Sequence, residues 1–69
     1  MTLYIGPLGP RVTDSEVTAF LGIDAVIQRD KTTGRSRGFA LAVSGSQGII
    51  DNLNGKSLAG VPTLVKELE

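Results

Sequence analysis

Arg37-Gly38-Phe39-Ala40-Leu41-Ala42-Val43-Ser44 is the stretch of this chain that decides its fold. In a β-strand, successive side chains point to opposite sides of the sheet, so an extended stretch has two faces. Here one face carries a cation and large apolar groups, at Arg37, Phe39, Leu41 and Val43. The other face carries only small side chains, at Gly38, Ala40, Ala42 and Ser44. A lone strand phenylalanine is more often part of a core, but burying Phe39 would turn Ala40 and Ala42 outward. We therefore predict that Phe39 lies on the open side of a sheet.

A second apolar stretch, Leu3-Tyr4-Ile5-Gly6-Pro7-Leu8, lies near the N-terminus. It is short and is closed by Gly9-Pro10, which predicts a strand over residues 3–8 followed by a turn. The two-residue alternation of this strand puts Tyr4 in phase with Phe39. We expect both rings on the same side of the sheet.

A capping box predicts the start of the first helix. In Thr13-Asp14-Ser15-Glu16, the Thr13 hydroxyl can accept the Glu16 amide, and the Glu16 side chain can reach back to Thr13. The helix then begins at Asp14. Its apolar residues recur on one face, at Val17, Phe20 and Leu21. Gly22 predicts the end of this helix after about two turns.

The remaining segments complete an alternating order of strands and helices. We predict strands over residues 25–29, 35–44 and 63–68, with a hairpin loop over 30–34 in which Gly34 adopts a positive φ. Ser46 predicts the cap of a second short helix that ends at Asn54-Gly55 in the left-handed conformation. The order β-α-β-β-α-β is that of the ferredoxin-like α+β fold. We expect a four-stranded antiparallel sheet, with the first and third strands central and both short helices on one face.

The stretches at residues 37–44 and 3–8 resemble the two RNP motifs of the RNA recognition motif (RRM) family. The octamer motif begins with a basic residue, glycine, an aromatic residue and a small residue, and Arg37-Gly38-Phe39-Ala40 matches that first half. Three further segments are similar to RRM sequences at the expected places: Val12-Thr13-Asp14-Ser15-Glu16-Val17, Asp30-Lys31-Thr32-Thr33-Gly34-Arg35 and Leu53-Asn54-Gly55-Lys56. The resemblance covers nearly the whole chain and implies one RRM-like domain over residues 1–69.

The resemblance implies a site for single-stranded RNA on the open sheet face, with single-stranded DNA as a second candidate ligand. Tyr4 and Phe39 would form a platform on which two bases stack, at about 1–3 kcal/mol per base. Arg37 would contact a phosphate. Lys31 and Arg35, in a loop that in this family often curls against the RNA, would add secondary contacts, and Lys66 on the last strand is a further candidate.

Several positions depart from the family pattern. Leu41 stands where a second octamer aromatic is usual, so the platform has two rings and an aliphatic side chain in place of the third ring. Ala42 and Ser44 reduce the volume below the sheet, and the segments 21–25 and 44–53 are several residues shorter than in an ordinary RRM. We interpret the chain as a compacted RRM whose shortened helices bring smaller side chains together.

The charge is neutral overall but concentrated at one place. Seven basic and seven acidic residues cancel, whereas four basic residues against Asp30 alone give residues 29–37 a net charge of +3. A nucleic-acid site needs such a local patch more than a global excess. The overall neutrality predicts weak, salt-sensitive binding, and we also expect low sequence specificity.

Composition and motifs disfavour catalysis, cofactors and metals. The chain has no histidine and no cysteine, which removes the commonest general base and thiolate ligands. Gly55-Lys56-Ser57 copies the end of a P-loop, but Ile50 occupies the position of its first glycine. Ser46 half resembles a nucleophile elbow without a base. We expect a non-enzymatic, soluble intracellular protein, cytoplasmic or nuclear, without membrane association.

Two other functions use the same sheet face. One is protein binding, or self-association, through an apolar surface of Tyr4, Val26, Leu41 and Val43, which Leu41 favours and which Arg37 and Phe39 disfavour. The other is a minimal scaffold without a ligand, which suits the missing core aromatics. The sequence leaves these alternatives open.

Overall fold

The structure, a computed structural model, describes residues 1–68 of the chain. Six strands and two helices occur in this part. In chain order they are β1 (Leu3–Gly6), α1 (Asp14–Leu21), β2 (Val26–Arg29), β3 (Ser36–Ala42), α2 (Gln47–Leu53), β4 (Ser57–Leu58), β5 (Val61–Pro62) and β6 (Leu64–Glu67). Both helices fall short of the length and apolarity that a bilayer crossing requires.

Four of the strands form one antiparallel sheet in the order β2-β3-β1-β6. The predicted fold is therefore confirmed, with the first and third strands of the β-α-β-β-α-β plan at the centre. Tyr4 on β1 is paired with Leu41 on β3 and with Lys66 on β6. The hairpin of β4 and β5 was not predicted, because two-residue strands leave too short an alternation to detect.

The strands are shorter than the sequence predicts at their ends. β1 ends at Gly6 instead of Leu8, and β3 covers Ser36–Ala42 instead of residues 35–44. Val43 and Ser44 form a turn, because the chain must reach the N-cap of α2 at Ser46 within a few residues. Val43 therefore lies beyond the strand that was predicted to include it.

The first helix follows the local signals in its sequence. Thr13 is the N-cap, and the complete capping box is present: the Glu16 amide donates to Thr13 Oγ1 at 3.2 Å, and the Thr13 amide donates to Glu16 Oε1 at 3.3 Å. Gly22 ends the helix with a left-handed φ of 79°. Val17 and Leu21 are buried, so the apolar face of α1 contacts the core.

The second helix ends differently from the prediction. Ser46 is its N-cap as expected, but Asn54 has an extended backbone, with φ −59° and ψ 125°, and only Gly55 is left-handed, with φ 86°. The reason is a long-range hydrogen bond, in which Asn54 Oδ1 accepts the amide of Val65 at 3.1 Å. The end of α2 is therefore held by the outer edge of β6.

The opposite edge of the sheet is held by α1. Asp14 Oδ1 accepts the amide of Ile27 at 3.0 Å, and Thr18 Oγ1 accepts the amide of Ala25 at 3.1 Å. Asp14 and Thr18 are four residues apart and so lie on the same side of the helix. These bonds occupy backbone donors that another strand could otherwise use for edge pairing. Side chains of α1 and of the C-cap of α2 thus bind backbone amides at both edges of the sheet.

The core lies between the sheet and the two helices. Its sheet residues alternate with those of the open face and are almost fully buried: Leu3, Ile5, Ile27, Ala40, Ala42 and Val65. Ala40 is 0% exposed and Ala42 is 1% exposed, so these two small residues face the core as predicted, whereas Gly38 is partly exposed and Ser44 is exposed in the turn after β3. Gly45 permits this compact arrangement, because a Cβ at that position would overlap the Leu3 side chain.

Candidate nucleic-acid interface

Tyr4 and Phe39 lie together on the open face of the sheet. Their ring centroids are 5.3 Å apart and their planes differ by 22°, which is a stacked arrangement. Both side chains are partly exposed, whereas their strand neighbours Leu3, Ile5 and Ala40 are buried. The structure thus brings together the two rings that the sequence assigned to one platform.

Two cations approach these rings. Lys66 Nζ is 5.2 Å from the Tyr4 centroid, and Arg37 Cζ is 5.5 Å from the Phe39 centroid. Because β1 lies between β3 and β6, Phe39 and Lys66 approach Tyr4 from opposite sides. At exposed sites each cation–π contact contributes about 0.5–1 kcal/mol, so the cations are held near the rings without being fixed there.

Gly38 distorts β3 beside Phe39. Its φ is +88°, a conformation that L side chains rarely adopt, and the pairing of β2 with β3 shifts register between Ile27 and Arg29. The Gly38 carbonyl accepts the Leu8 amide at 2.7 Å, which ties the segment after β1 to this bulge. The predicted third strand includes Gly38, but the bulge itself was not predicted. The signal for the bulge was a glycine inside a strand pattern.

The loop after β2 is ordered by Asp30. Asp30 Oδ1 accepts the amides of Thr32 at 2.8 Å and Thr33 at 2.9 Å, and the Asp30 carbonyl accepts the amide of Gly34 at 2.8 Å. The hydrogen bonds from the Thr33 and Thr32 amides lower the pKa of the Asp30 carboxyl from its ordinary value of 3.8. Gly34 has the predicted positive φ, at 74°.

Lys31 and Arg37 share a polar groove at this end of the sheet. The groove has a volume of about 380 Å³ and is lined by Gln28, Arg29, Asp30, Lys31, Thr32 and Arg37. Arg35 is exposed and is not part of this lining. Of the predicted loop cations, the structure therefore brings Lys31 next to Arg37 but leaves Arg35 outside the groove. Sequence reasoning did not identify Gln28, whose position two residues after Val26 on β2 was the available signal.

The rest of the open face is aliphatic. Leu41 is partly exposed and is paired with both Tyr4 and Val26, and Val26 is 58% exposed. Leu64 on β6 is 51% exposed, and Val43, in the turn after β3, is 75% exposed. We call Val26, Leu41, Val43 and Leu64 the aliphatic patch. Within residues 1–68, no group of three acidic, histidine or cysteine side chains has a geometry that could hold a metal ion.

Neither a protein-family model nor a curated protein sequence matches the chain. Solved structures, in contrast, do match the chain. The RNA binding protein PG1 is 30% identical, with a TM-score of 0.87, and the match covers 99% of this chain and 93% of PG1. The second RRM domain of yeast poly(U)-binding protein Pub1 is 25% identical, with a TM-score of 0.83, over 99% of this chain and 96% of that domain. This chain belongs to the RRM family.

A third match concerns a protein complex. The Snu17p–Pml1p structure, an intermediate of RES complex assembly, is 31% identical, with a TM-score of 0.77, over 94% of this RRM and 63% of the matched chain. This RRM spans 45% of a structure that holds the first two RRM domains of Pub1. It therefore corresponds in length to one domain of such proteins.

Proposed function

We propose that this RRM binds single-stranded RNA on its open sheet face, with bases stacked on Tyr4 and Phe39. The observation that carries this proposal is the stacked ring pair, with its centroids 5.3 Å apart and a cation beside each ring. Aromatic rings on a sheet are suited to unpaired bases, since every base has a π-face and a duplex hides it. The names of PG1, an RNA binding protein, and of Pub1, a poly(U)-binding protein, support the same ligand class.

In this proposal the cations contact the phosphates. Arg37 and Lys31 share a groove at one end of the ring pair, and Lys66 lies on the other side of Tyr4. A backbone that crosses the sheet between these groups would meet positive charge on both sides of the stacked bases. Arg35, outside the groove, would add only a long-range attraction that salt screens.

The same features support weak binding of low sequence specificity. Leu41 offers no ring for a third base, and the chain has no net charge. Stacking hardly distinguishes RNA from DNA, so single-stranded DNA is a second ligand of the same surface. We propose that residues 1–69 act as one binding domain and that the role is binding, since the sequence offers no histidine or cysteine for catalysis.

Protein binding by the same face is the second candidate. Val26 and Leu41 of the aliphatic patch favour it, because they are paired across β2 and β3 and exposed apolar clusters often mark protein interaction sites. The Snu17p–Pml1p complex among the similar structures supports it as well. Arg37 and Lys66 beside the rings favour the nucleic acid, since a purely apolar protein contact would leave these charges unused.

An NMR titration with short uridine-, adenine- and guanine-rich RNAs at low salt tests the proposal. We expect the amide resonances of β1 and β3 around Tyr4 and Phe39 to shift most, while the amide resonances of α1 and α2 do not shift. One result would favour protein binding over RNA binding. In it, no RNA shifts these amide resonances at high micromolar protein, but a protein partner protects the amides of Tyr4, Leu41 and Phe39 from exchange.

A matched pair of charge variants tests the phosphate contact. Arg37→Ala should weaken binding to all sequences about equally and lower the salt dependence by about one ion, since a phosphate contact positions the strand without reading a base. Arg11→Ala removes the same charge from an exposed residue that shares a cavity with Glu16 of α1. Equal salt slopes for the two variants would show that only the overall charge matters.

A further inference from the structure

Gly6 has an unexpected environment for a residue on the open sheet face. It is two residues after Tyr4 on β1, so both point to the same side of the sheet. Tyr4 remains partly exposed, yet Gly6 is buried. Its cover comes from Tyr4 and Phe39. An ideal Cβ at Gly6 would lie 2.8 Å from Tyr4 Oη and 3.1 Å from Phe39 Cβ.

The position of the hydroxyl shows how the Tyr4 side chain is directed. The residue paired with Tyr4 on β3 is Leu41, but the Tyr4 ring leans along β1 toward Gly6 and stacks on Phe39. A side chain at position 6 would occupy the space in which the end of the ring lies. The stacked pair therefore depends on the absence of a side chain between its two members.

We propose that Gly6 is a positioning residue for the RNA site: it leaves the space that lets Tyr4 stack on Phe39. This inference rests on the proposed function for its effect on RNA, but its structural part concerns the free protein. In this proposal Gly6 makes no contact with the RNA. It acts through the Tyr4 ring alone.

The closest contact identifies the group that would move. Real Cβ atoms essentially never come closer than 3.0 Å to a neighbour, so the 2.8 Å contact with Tyr4 Oη must be relieved. The contacts at 3.1 Å, with the Gly38 carbonyl and Phe39 Cβ, are tight and require a shift of a few tenths of an ångström in β3. Gly6 does not have a positive φ, so its backbone conformation is open to alanine. A methyl group at this position should therefore displace the tyrosine ring before it disturbs the strand.

Four variants test the proposal: Gly6→Ala, Tyr4→Phe, the double variant of both, and Gly9→Ala. Tyr4→Phe keeps the ring and removes the hydroxyl that meets the new methyl group. Gly9→Ala is the matched control, because a Cβ there has Val12 Cγ2 at 3.8 Å as its nearest neighbour, an ordinary contact. The first readout is the chemical shift of the Phe39 ring protons in the free protein, which reports the ring current of the stacked partner. The second is the affinity for a uridine-rich RNA.

We expect Gly6→Ala to shift the Phe39 ring protons and to weaken RNA binding roughly tenfold, within the range for the loss of one stacked base. Gly9→Ala should leave the affinity within about twofold of the wild type, because it removes no stacking ring, and Tyr4→Phe alone gives the reference affinity for the double variant. The double variant should regain most of the lost affinity and much of the wild-type ring shift. This rescue separates positioning through the tyrosine from a general disturbance of β1.

Two results would overturn the proposal. One is a Gly6→Ala protein whose ring shifts match those of Gly9→Ala. The other is a double variant that is no better than Gly6→Ala, or that unfolds with it, since the need for glycine would then come from the strand and not from the tyrosine hydroxyl. If the wild type binds no RNA, the proposed function fails, but the ring shifts of the free protein still decide the role of Gly6.

Discussion

The two faces of the four-stranded sheet are made from alternate residues of the same strands, but they differ in what they require. On the buried face, Ile5, Ala40 and Val65 have no exposed surface. On the open face, Tyr4 and Phe39 are partly exposed and stack on each other. The buried face must fit a fixed volume, whereas under the proposed function the open face must keep its rings and charges accessible to the RNA.

Under the proposed function, one strand therefore serves both the core and the binding site. We expect a substitution on the buried face to change stability, and one on the open face to change RNA binding with little change in stability. The central strands β1 and β3 carry most of both faces. Because the edges are capped by Asp14, Thr18 and Asn54, the open face is the broad surface of the sheet that remains for a partner.

The largest expected effect is on the buried face. Ile5→Ala should lower the free energy of unfolding by about 2–5 kcal/mol, since it leaves a cavity in a well-packed core. Leu64→Ala, on the open face of the adjacent strand, should change it by no more than about 0.5 kcal/mol. Urea denaturation measures both. Because a small domain has little stability to lose, Ile5→Val, at about 0.5–1.5 kcal/mol, provides a milder second measurement. Similar losses for Ile5→Val and Leu64→Ala would contradict the division of the two faces.

The two phenylalanines provide the converse test, in which the open-face substitution should affect binding and the core substitution should affect stability. Phe39→Ala should weaken RNA binding by about 1–3 kcal/mol with little loss of stability, because its ring lies on the open face. Phe20 on α1 is partly buried and packs against the core. Phe20→Ala should therefore lower stability and leave the affinity of the folded fraction unchanged. Calorimetric titration and thermal unfolding of both variants separate the effects, and a core role for Phe39 would appear as a large loss of stability.

Most of the fold could be predicted from the sequence, because its signals are local. The capping box at Thr13, the helix stop at Gly22 and the alternation through Phe39 each act within a few residues. Their agreement with the RRM pattern gave the correct strand order. The placement of Tyr4 and Phe39 on the same face of the sheet followed from the same alternation.

The features that could not be predicted depend on contacts distant in the sequence. Asn54 departs from the left-handed conformation because its side chain binds the Val65 amide, 11 residues away. Asp14 was recognised as the first residue of α1 but not as the acceptor of the Ile27 amide, 13 residues away. The role of Gly6 depends on where the Tyr4 ring leans. These hydrogen-bond partners and side-chain directions are determined by tertiary packing, so the local sequence pattern does not predict them.

Removing the N-cap of each helix should have a smaller effect on stability, and the size of that effect should differ between α1 and α2. Thr13→Ala removes the N-cap of α1 and should cost about 0.5–2 kcal/mol of stability. Ser46 caps α2 with a single bond, from the Ile49 amide at 3.4 Å, and no reciprocal side chain, since the third residue of that helix is Ile49. Ser46→Ala should therefore cost less than Thr13→Ala. Equal denaturation midpoints for Thr13→Ala and the wild type would show that packing alone fixes the start of α1.

The smallest expected effect concerns the pH dependence of the loop beside the open face. The Thr33 and Thr32 amides lower the pKa of Asp30 below 3.8, so the ionised carboxylate stabilises the turn. The folded-state pKa is the lower one. The stabilisation is therefore complete above the unfolded-state pKa and is lost as the pH falls through the folded-state value. Between about pH 5 and pH 2, the amide resonances of Thr32 and Thr33 should titrate with a midpoint below 3.8, and their protection from exchange should decrease over the same range.

Asp30→Asn is the control for this titration. The asparagine side chain keeps an oxygen that can accept the same two amides, so the turn should persist, but the pH dependence of the Thr32 and Thr33 resonances should disappear. If RNA contacts Lys31 through the groove it shares with Arg37, this variant should keep its affinity, because the loop conformation is retained. A loop that loosens in Asp30→Asn at neutral pH would show that the charge of Asp30, rather than the position of its oxygen, holds the basic end of the open face in place.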